Sequence, residues 1–278
     1  MTPTASQPAS HPASPPASEP AWTGADLASD PHAHAHKAEK VRRMFGAIAH
    51  RYDLNNRLHS FGRDQAWRRA AVRMSALRPG EAVLDCACGT GDLTRAFADA
   101  GAGRTVGLDF TPEMLDIART KRLVPRGAPA GARPGASPGG RPIEYIEGDA
   151  MNLPFAAESF DVVSIAFGIR NVADPACALR EFHRVLRPGG RLVVLEFARP
   201  RSRLVAWGND LYTKRIMPIT ATLISADRSG AYRYLPRSID TFLTPGAMAE
   251  ALHAAGFAGV RQKPMTLGVC VCTVAHRS

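Results

Sequence analysis

Val83-Leu84-Asp85-Cys86-Ala87-Cys88-Gly89-Thr90-Gly91-Asp92-Leu93-Thr94 changes character twice within a few residues. The apolar run 82–84 ends at an acid, Asp85. A turn follows at Cys88-Gly89-Thr90-Gly91, and 92–100 then reads as a helix stopped by Gly101. Strand, glycine turn and helix together form the unit that opens a doubly wound sheet, with its ligand at the helix start.

The alternation continues in both directions. Residues 105–108 form a strand ending at Asp109, and a helix starts at Thr111 with Pro112 in its first turn. Further strands are expected at 143–146, 160–167 and 192–197, with a helix over 175–186 closed by Pro188-Gly189-Gly190. A mainly helical stretch, 203–225, interrupts the rhythm. It resumes with a helix over 245–255 and strands at 260–263 and 269–275. Upstream, 37–78 reads as helices ending at Pro79-Gly80. Strands and helices of these lengths predict an α/β fold with a largely parallel sheet covered on both faces.

Composition bounds the rest. Of 278 residues 45% are apolar and 22% charged, which excludes wholesale disorder and a fibrous protein. No run approaches 18 apolar residues, and the start MTPTASQPAS has neither a basic nor an apolar signal region, so a cytoplasmic chain is expected. Five cysteines argue against a disulfide framework. Cys86 with Cys88 and Cys270 with Cys272 lack metal-site spacing and are expected in the core.

Residues 1–36 repeat Pro-Ala-Ser and carry no Lys or Arg, which predicts a disordered tail ahead of a domain over 37–278. His32, His34 and His36 alternate with alanine at its end, a solvated polar stretch rather than a metal site. The segment 122–142, rich in Gly, Pro and Arg, reads as a loop inserted on the domain surface. The formal charge is +10, and 37–78 alone carries a net +8. Such a basic run suits an anionic membrane surface, a nucleic acid or a phosphorylated substrate.

Two adenosine-bearing ligands compete for the glycine turn. A dinucleotide fold wants a third glycine where this chain has Thr94, and an acid such as Asp92 in the helix's first turn is a poor neighbour for a pyrophosphate. The same acid is tolerable beside a sulfonium, which tilts the choice to S-adenosylmethionine. Asp109 is placed to accept hydrogen bonds from ribose hydroxyls.

The run 83–94, with GDAMNLPF (148–155) and RVLRPGGRL (184–192), resembles the class I S-adenosylmethionine methyltransferases. RYDLNNRLHSFG (51–62) with Trp67-Arg68, FGIRNV (167–172) and YRYLPRSI (232–239) narrow the resemblance to the demethylmenaquinone / polyprenyl-benzoquinol C-methyltransferases, over about 40–275. It implies a Rossmann-like seven-stranded sheet with an antiparallel last strand. It also implies the sulfonium end of S-adenosylmethionine against Gly89, Thr90 and Gly91, the ribose on Asp109 and the adenine beside Asp149 and Ala150, with no metal. Tyr52 and Asp53 are expected to close the site, and 203–225 to cover the substrate. In that cover Leu204, Trp207, Leu211, Ile216, Met217 and Ile219 either cradle a prenyl tail or pack on the sheet. One departure is Ala166, where the family often has Ser.

The implied substrate is a polyprenylated quinol, demethylmenaquinol first and a methoxy-benzoquinol second. A ring carbon becomes nucleophilic when the neighbouring hydroxyl ionises, so the site needs a cation and a hydrogen-bond donor for that oxygen. Arg170 and Asn171 are expected to fill these roles. Arginine is a poor base, leaving water or hydroxide to take the proton. A quinone with a lipid tail also implies peripheral contact with an anionic membrane, at the inner face of the plasma membrane; a homodimer is one option for its assembly. A nucleic-acid methyltransferase is the rival enzyme, but the turn after strand four lacks D/N-P-P-Y or Pro-Cys, so no nucleic-acid partner is expected. A non-catalytic cofactor-binding scaffold is the third reading.

Overall fold

The computed structural model describes residues 20–121, 143–220 and 229–278. Seven strands, β1 Ala82–Cys86, β2 Arg104–Asp109, β3 Glu144–Glu147, β4 Phe160–Ala166, β5 Leu186–Phe197, β6 Phe257–Met265 and β7 Cys270–Arg277, form one sheet in the order β3-β2-β1-β4-β5-β7-β6. The first five are parallel, and β7 is antiparallel to both β5 and β6. The chain therefore has the expected doubly wound sheet with an antiparallel last strand, and the order reverses between β1 and β4.

Side-chain alternation distributes the core. Leu84, Cys86, Val163 and Ile165 face one layer with Leu179 and Phe182, while Val83, Val162, Val193 and Leu195 face the other with Trp67, Leu93 and Phe97. The helices are α1 Gly24–Ala28, α2 Lys37–His59, α3 Arg63–Met74, α4 Asp92–Asp99, α5 Pro112–Thr120, α6 Pro175–Val185, α7 Arg203–Leu211, α8 Ala231–Asp240 and α9 Pro245–Ala254. A π-helical turn, Tyr212–Ile216, continues α7. Cys86, Cys88, Cys270 and Cys272 are buried, and burial pushes all four thiols up, as core positions do.

Three differences from expectation have physical causes. Strand β5 starts at Leu186 rather than 192, because a register shift opposite Phe160 and Val162 absorbs the Pro188-Gly189-Gly190 turn. Helix α8 was hidden by Pro236, which sits inside it.

The third difference is the tail. Residues 20–36 are packed: Trp22 is fully buried and stacks on Tyr234 of α8 at 4.5 Å, with Val41, Met44 and Ile48 of α2 in the same cluster. One buried tryptophan supplies the apolar area that the Pro-Ala-Ser composition lacks. His32 lies 2.9 Å from the Ser238 carbonyl and His34 pairs with Asp26 at 3.2 Å, so neither belongs to a solvated end. The expectations for 1–19, for the 122–142 loop and for 221–225 lie outside the described residues.

The basic run 37–78 is not one solvated face either. Lys37 is buried, donating to the Val172 carbonyl at 2.5 Å, and Lys40, Arg42, Arg57 and Arg68 pair with Asp26, Glu147, Asp92 and Asp64.

Candidate active site

Two cavities open at the carboxyl ends of the parallel strands. The first, about 720 Å³ including its mouth, lies over β1, β2 and β4. Its floor is Gly89 and Asp109, and its sides are Leu108, Phe110, Met114, Asp149, Ala150 and Met151. Asp109 is almost fully buried. Its Oδ2 accepts from the Gly89 N–H at 2.7 Å and its Oδ1 from the Thr111 N–H at 2.9 Å. A carboxylate has about four acceptor sites, so two remain for hydroxyl donors. Burial pushes its pKa up, against the pull of the backbone N–H groups.

The turn owes its shape to backbone freedom. Gly89 and Gly91 have φ of +55° and +79°, and the space beside Gly91 is filled by the Tyr145 ring. Ala87 and Phe167, at the ends of β1 and β4, also hold positive φ, +49° and +57°. Strained non-glycine residues of this kind gather at functional sites. Gly168 follows because any Cβ there would collide with Ala87.

Thr90 and Gly91 do not line the cavity. The Thr90 hydroxyl donates to Asp53 Oδ1 at 2.6 Å, and Lys121 Nζ reaches Thr90 Oγ1 at 2.8 Å and Asp53 Oδ2 at 2.5 Å. Asp53 thus ties α2 to the glycine turn, while its neighbour Tyr52 faces the cavity. Asp92 is turned away as well. Burial would raise its pKa, but Lys121, Arg68 and Arg95 hold it at about 2, and Gln65 donates to it at 3.0 Å. Its charge is satisfied by protein partners and is not presented to the cavity.

The second cavity is larger, about 1530 Å³ including its mouth, and shares Phe45, Tyr52 and Phe167 with the first. Trp67, Phe197, Tyr232 and Tyr234 supply flat walls; Arg68, Arg170 and Asp64 supply charge. Arg170 is buried, with Nη1 donating to the Phe167 carbonyl at 2.7 Å and to Glu196 Oε1 at 2.6 Å. Glu196 is buried too, and burial raises its pKa despite Arg170. Asn171 lines the first cavity, its Nδ2 donating to Phe167 O at 3.2 Å while its Oδ1 accepts from Tyr234 at 2.9 Å. Both expected catalytic side chains therefore stand at the cavities, braced by partners, Glu196 and Tyr234, that the sequence did not assign. Tyr234 lay within the quoted 232–239 run; Glu196 had no local signal.

Comparisons with known proteins follow this geometry. A model of the ubiE/COQ5 methyltransferase family matches residues 33–277. The chain belongs to that family. Relatives include a demethylmenaquinone methyltransferase of Thermus thermophilus, 44% identical over 84% of this chain and 100% of that protein. A ubiquinone/menaquinone biosynthesis C-methyltransferase of Teredinibacter turnerae is 39% identical over 84% and 90%. Among solved structures, a SAM-dependent methyltransferase of Thermotoga maritima covers 86% of this chain and 100% of its own, at TM-score 0.57 and 20% identity, which shows the shared fold.

Family membership makes the chain a methyltransferase with S-adenosylmethionine as its donor. The first cavity fits that molecule: a buried acid for the ribose, an exposed Asp149 for the adenine amine, and Leu108, Phe110 and Met114 for its ring. Ala166 lines the same cleft and offers it a methyl group and no hydroxyl. The cover residues behave differently from both expectations. Met217 is buried and lines the second cavity, but Leu204, Trp207, Leu211, Ile216 and Ile219 neither cradle a tail nor pack on the sheet; they face outward.

Proposed function

We propose that this methyltransferase acts on a ring carbon of a polyprenylated quinol, demethylmenaquinol first and a methoxylated benzoquinol second. The supporting observation is the second cavity, an aromatic-walled chamber with a buried arginine, sharing Phe45, Tyr52 and Phe167 with the donor cleft. A quinol ring is flat and its prenyl tail apolar, with the polarity confined to a few oxygens on the ring, and the aromatic walls and buried arginine of this chamber match both properties. The printed names of the Thermus thermophilus and Teredinibacter turnerae relatives support the same substrate class.

When bound, S-adenosylmethionine supplies an electrophilic methyl on a sulfonium. The chain's own residues do the rest. Gly89, Asp109, Asp149 and Ala150 hold and orient the donor. Tyr52, held over the turn by its neighbour Asp53, and Phe167 exclude water from the junction of the cavities. Arg170 lowers the cost of ionising the ring hydroxyl, whose free pKa is near ~10. Glu196 fixes the guanidinium at 2.6 Å, and Asn171, braced by Tyr234, keeps a second amide hydrogen for the same oxygen. Arginine is too weak a base to take the proton, which passes to solvent.

Among the described residues no helix is long and apolar enough to cross a membrane. Peripheral contact with an anionic membrane at the cytoplasmic face belongs to the same proposal. Incubation with labelled donor and short-tailed reduced forms of both quinones, with tRNA as control, tests it. A ring-methylated quinol is expected. Label entering RNA and neither quinol overturns the assignment.

A further inference from the structure

The outward-facing residues of the cover lead further. Leu204, Trp207 and Leu211 recur at three- and four-residue spacing, so they share one side of α7, and that side faces water: Leu204 is 77% and Trp207 66% exposed. Asn209, between them, and Tyr212 and Thr213, just beyond, line the second cavity instead. The segment is amphipathic in the inverted sense, polar towards the chamber and apolar towards solvent. Ile216 and Ile219 prolong the apolar side. Phe61, 77% exposed, joins it across the cavity mouth, its ring 5.7 Å from that of Tyr212. A clustered apolar rim of this kind marks a binding surface rather than a scatter of surface residues.

Charge selects the occupant. Arg63 next to Phe61, Arg201 and Arg203 at the start of α7, and Arg215 in the π-helical turn are exposed. The acid within α7, Asp210, is shared by Arg199 and Lys214, both at 3.3 Å. A second copy of the chain would set these cations against one another, whereas anionic headgroups complement them while their acyl chains accept the apolar rim.

We propose that the apolar rim formed by α7, its π-helical continuation and Phe61 inserts into an anionic bilayer and opens the substrate cavity onto the acyl chains. This rests on the quinol reading, because a prenyl tail is the cargo that needs such an entrance. Phe61, Tyr212 and Thr213 line the cavity at its mouth, so a tail passes from bilayer to chamber without crossing water. The basic run 37–78, much of it internally paired, contributes little beyond Arg63.

The molecule carries its own probe. Trp22 and Trp67 are buried, so a lipid-induced change in tryptophan emission reports Trp207. Phosphatidylglycerol vesicles are expected to shift the emission of the full chain to the blue and to co-sediment it, with binding at least tenfold weaker on phosphatidylcholine or at 1 M salt. Leu204→Glu is expected to weaken vesicle binding at least tenfold, leaving Trp207 as reporter, while turnover of a short-tailed soluble quinol stays unchanged. Arg203→Gln with Arg215→Gln is expected to weaken binding to the anionic vesicles alone. No blue shift, unchanged binding by Leu204→Glu, or light scattering showing a dimer that Leu204→Glu dissociates would overturn the proposal. Vesicle binding with no methylation of any quinol would instead strike the proposed function and leave the lipid surface standing.

Discussion

The two cavities were built by different means. The donor cleft is local: its floor comes from the ends of β1, β2 and β4, and its decisive groups are backbone N–H groups and one acid, Asp109. The substrate chamber is assembled from α2, α3, α7, α8 and β5, and its decisive groups are side chains that meet only after folding. Arg170 finds Glu196 across 26 residues, and Tyr234 reaches out of the chamber across 63 to brace Asn171 on the wall of the donor cleft. A short motif can name the residues of a site, as it did Arg170 and Asn171, but not the partners that packing brings to them, Glu196 and Tyr234.

That contrast can be broken at its strongest point by Arg170→Ala. Turnover should fall by about 10²–10³ while donor affinity, measured by calorimetry, changes less than about threefold. Because the substitution strands a buried carboxylate, stability should also drop by roughly 3–5 kcal/mol. Adding Glu196→Gln should recover much of the stability and none of the turnover. Collapse of donor binding with turnover spared would merge the two cavities into one functional unit.

Trp22→Ala should cost about 3 kcal/mol in chemical denaturation and raise the KM for quinol more than for the donor, since Trp22 backs Tyr234 and lies away from the glycine turn. On the donor side, Asp109→Ala should weaken S-adenosylmethionine on the order of 100-fold, losing the ribose acceptors and orphaning two backbone N–H groups. An affinity loss of less than about tenfold would mean that the ribose is held elsewhere. Tyr234→Phe removes one hydrogen bond to Asn171 and should lower kcat about fivefold, about 1 kcal/mol.

A separate effect concerns pH. Asp85, under the glycine turn, accepts from Thr94 and Ser164 at 2.7 Å each, and burial raises its pKa to about 6. Its folded value lies above the unfolded one, so the folded state holds the extra proton between about pH 4 and 6. Stability should therefore decline as pH rises through that window and level off above it. Asp85→Asn should flatten the slope, measured by melting temperature against pH.

The same contrast explains what the sequence disclosed. Strand and helix positions around the glycine turn, with Asp109 at the end of its strand, were legible in the local pattern, whereas the antiparallel β7 was legible only through the family resemblance. Asp92 pointed to the right donor on a wrong premise, because spacing gives a position on a helix and not a direction; its carboxylate turned to Lys121 and Gln65. Leu204, Trp207 and Leu211 misled in the same way. A stripe at helical spacing says that one side is apolar, not which way that side faces. Residues 20–36 were misjudged because composition averages over a segment, while a single Trp22 was enough to anchor it.

The stack of Trp22 on Tyr234 also sets an order of construction. Residue 22 is made long before residue 234, so the clasp between them closes only after the strands that lie between them in the chain have been synthesised. Strands β1, β2 and β4 and the glycine turn thus precede in synthesis the helix α8 that walls the larger cavity.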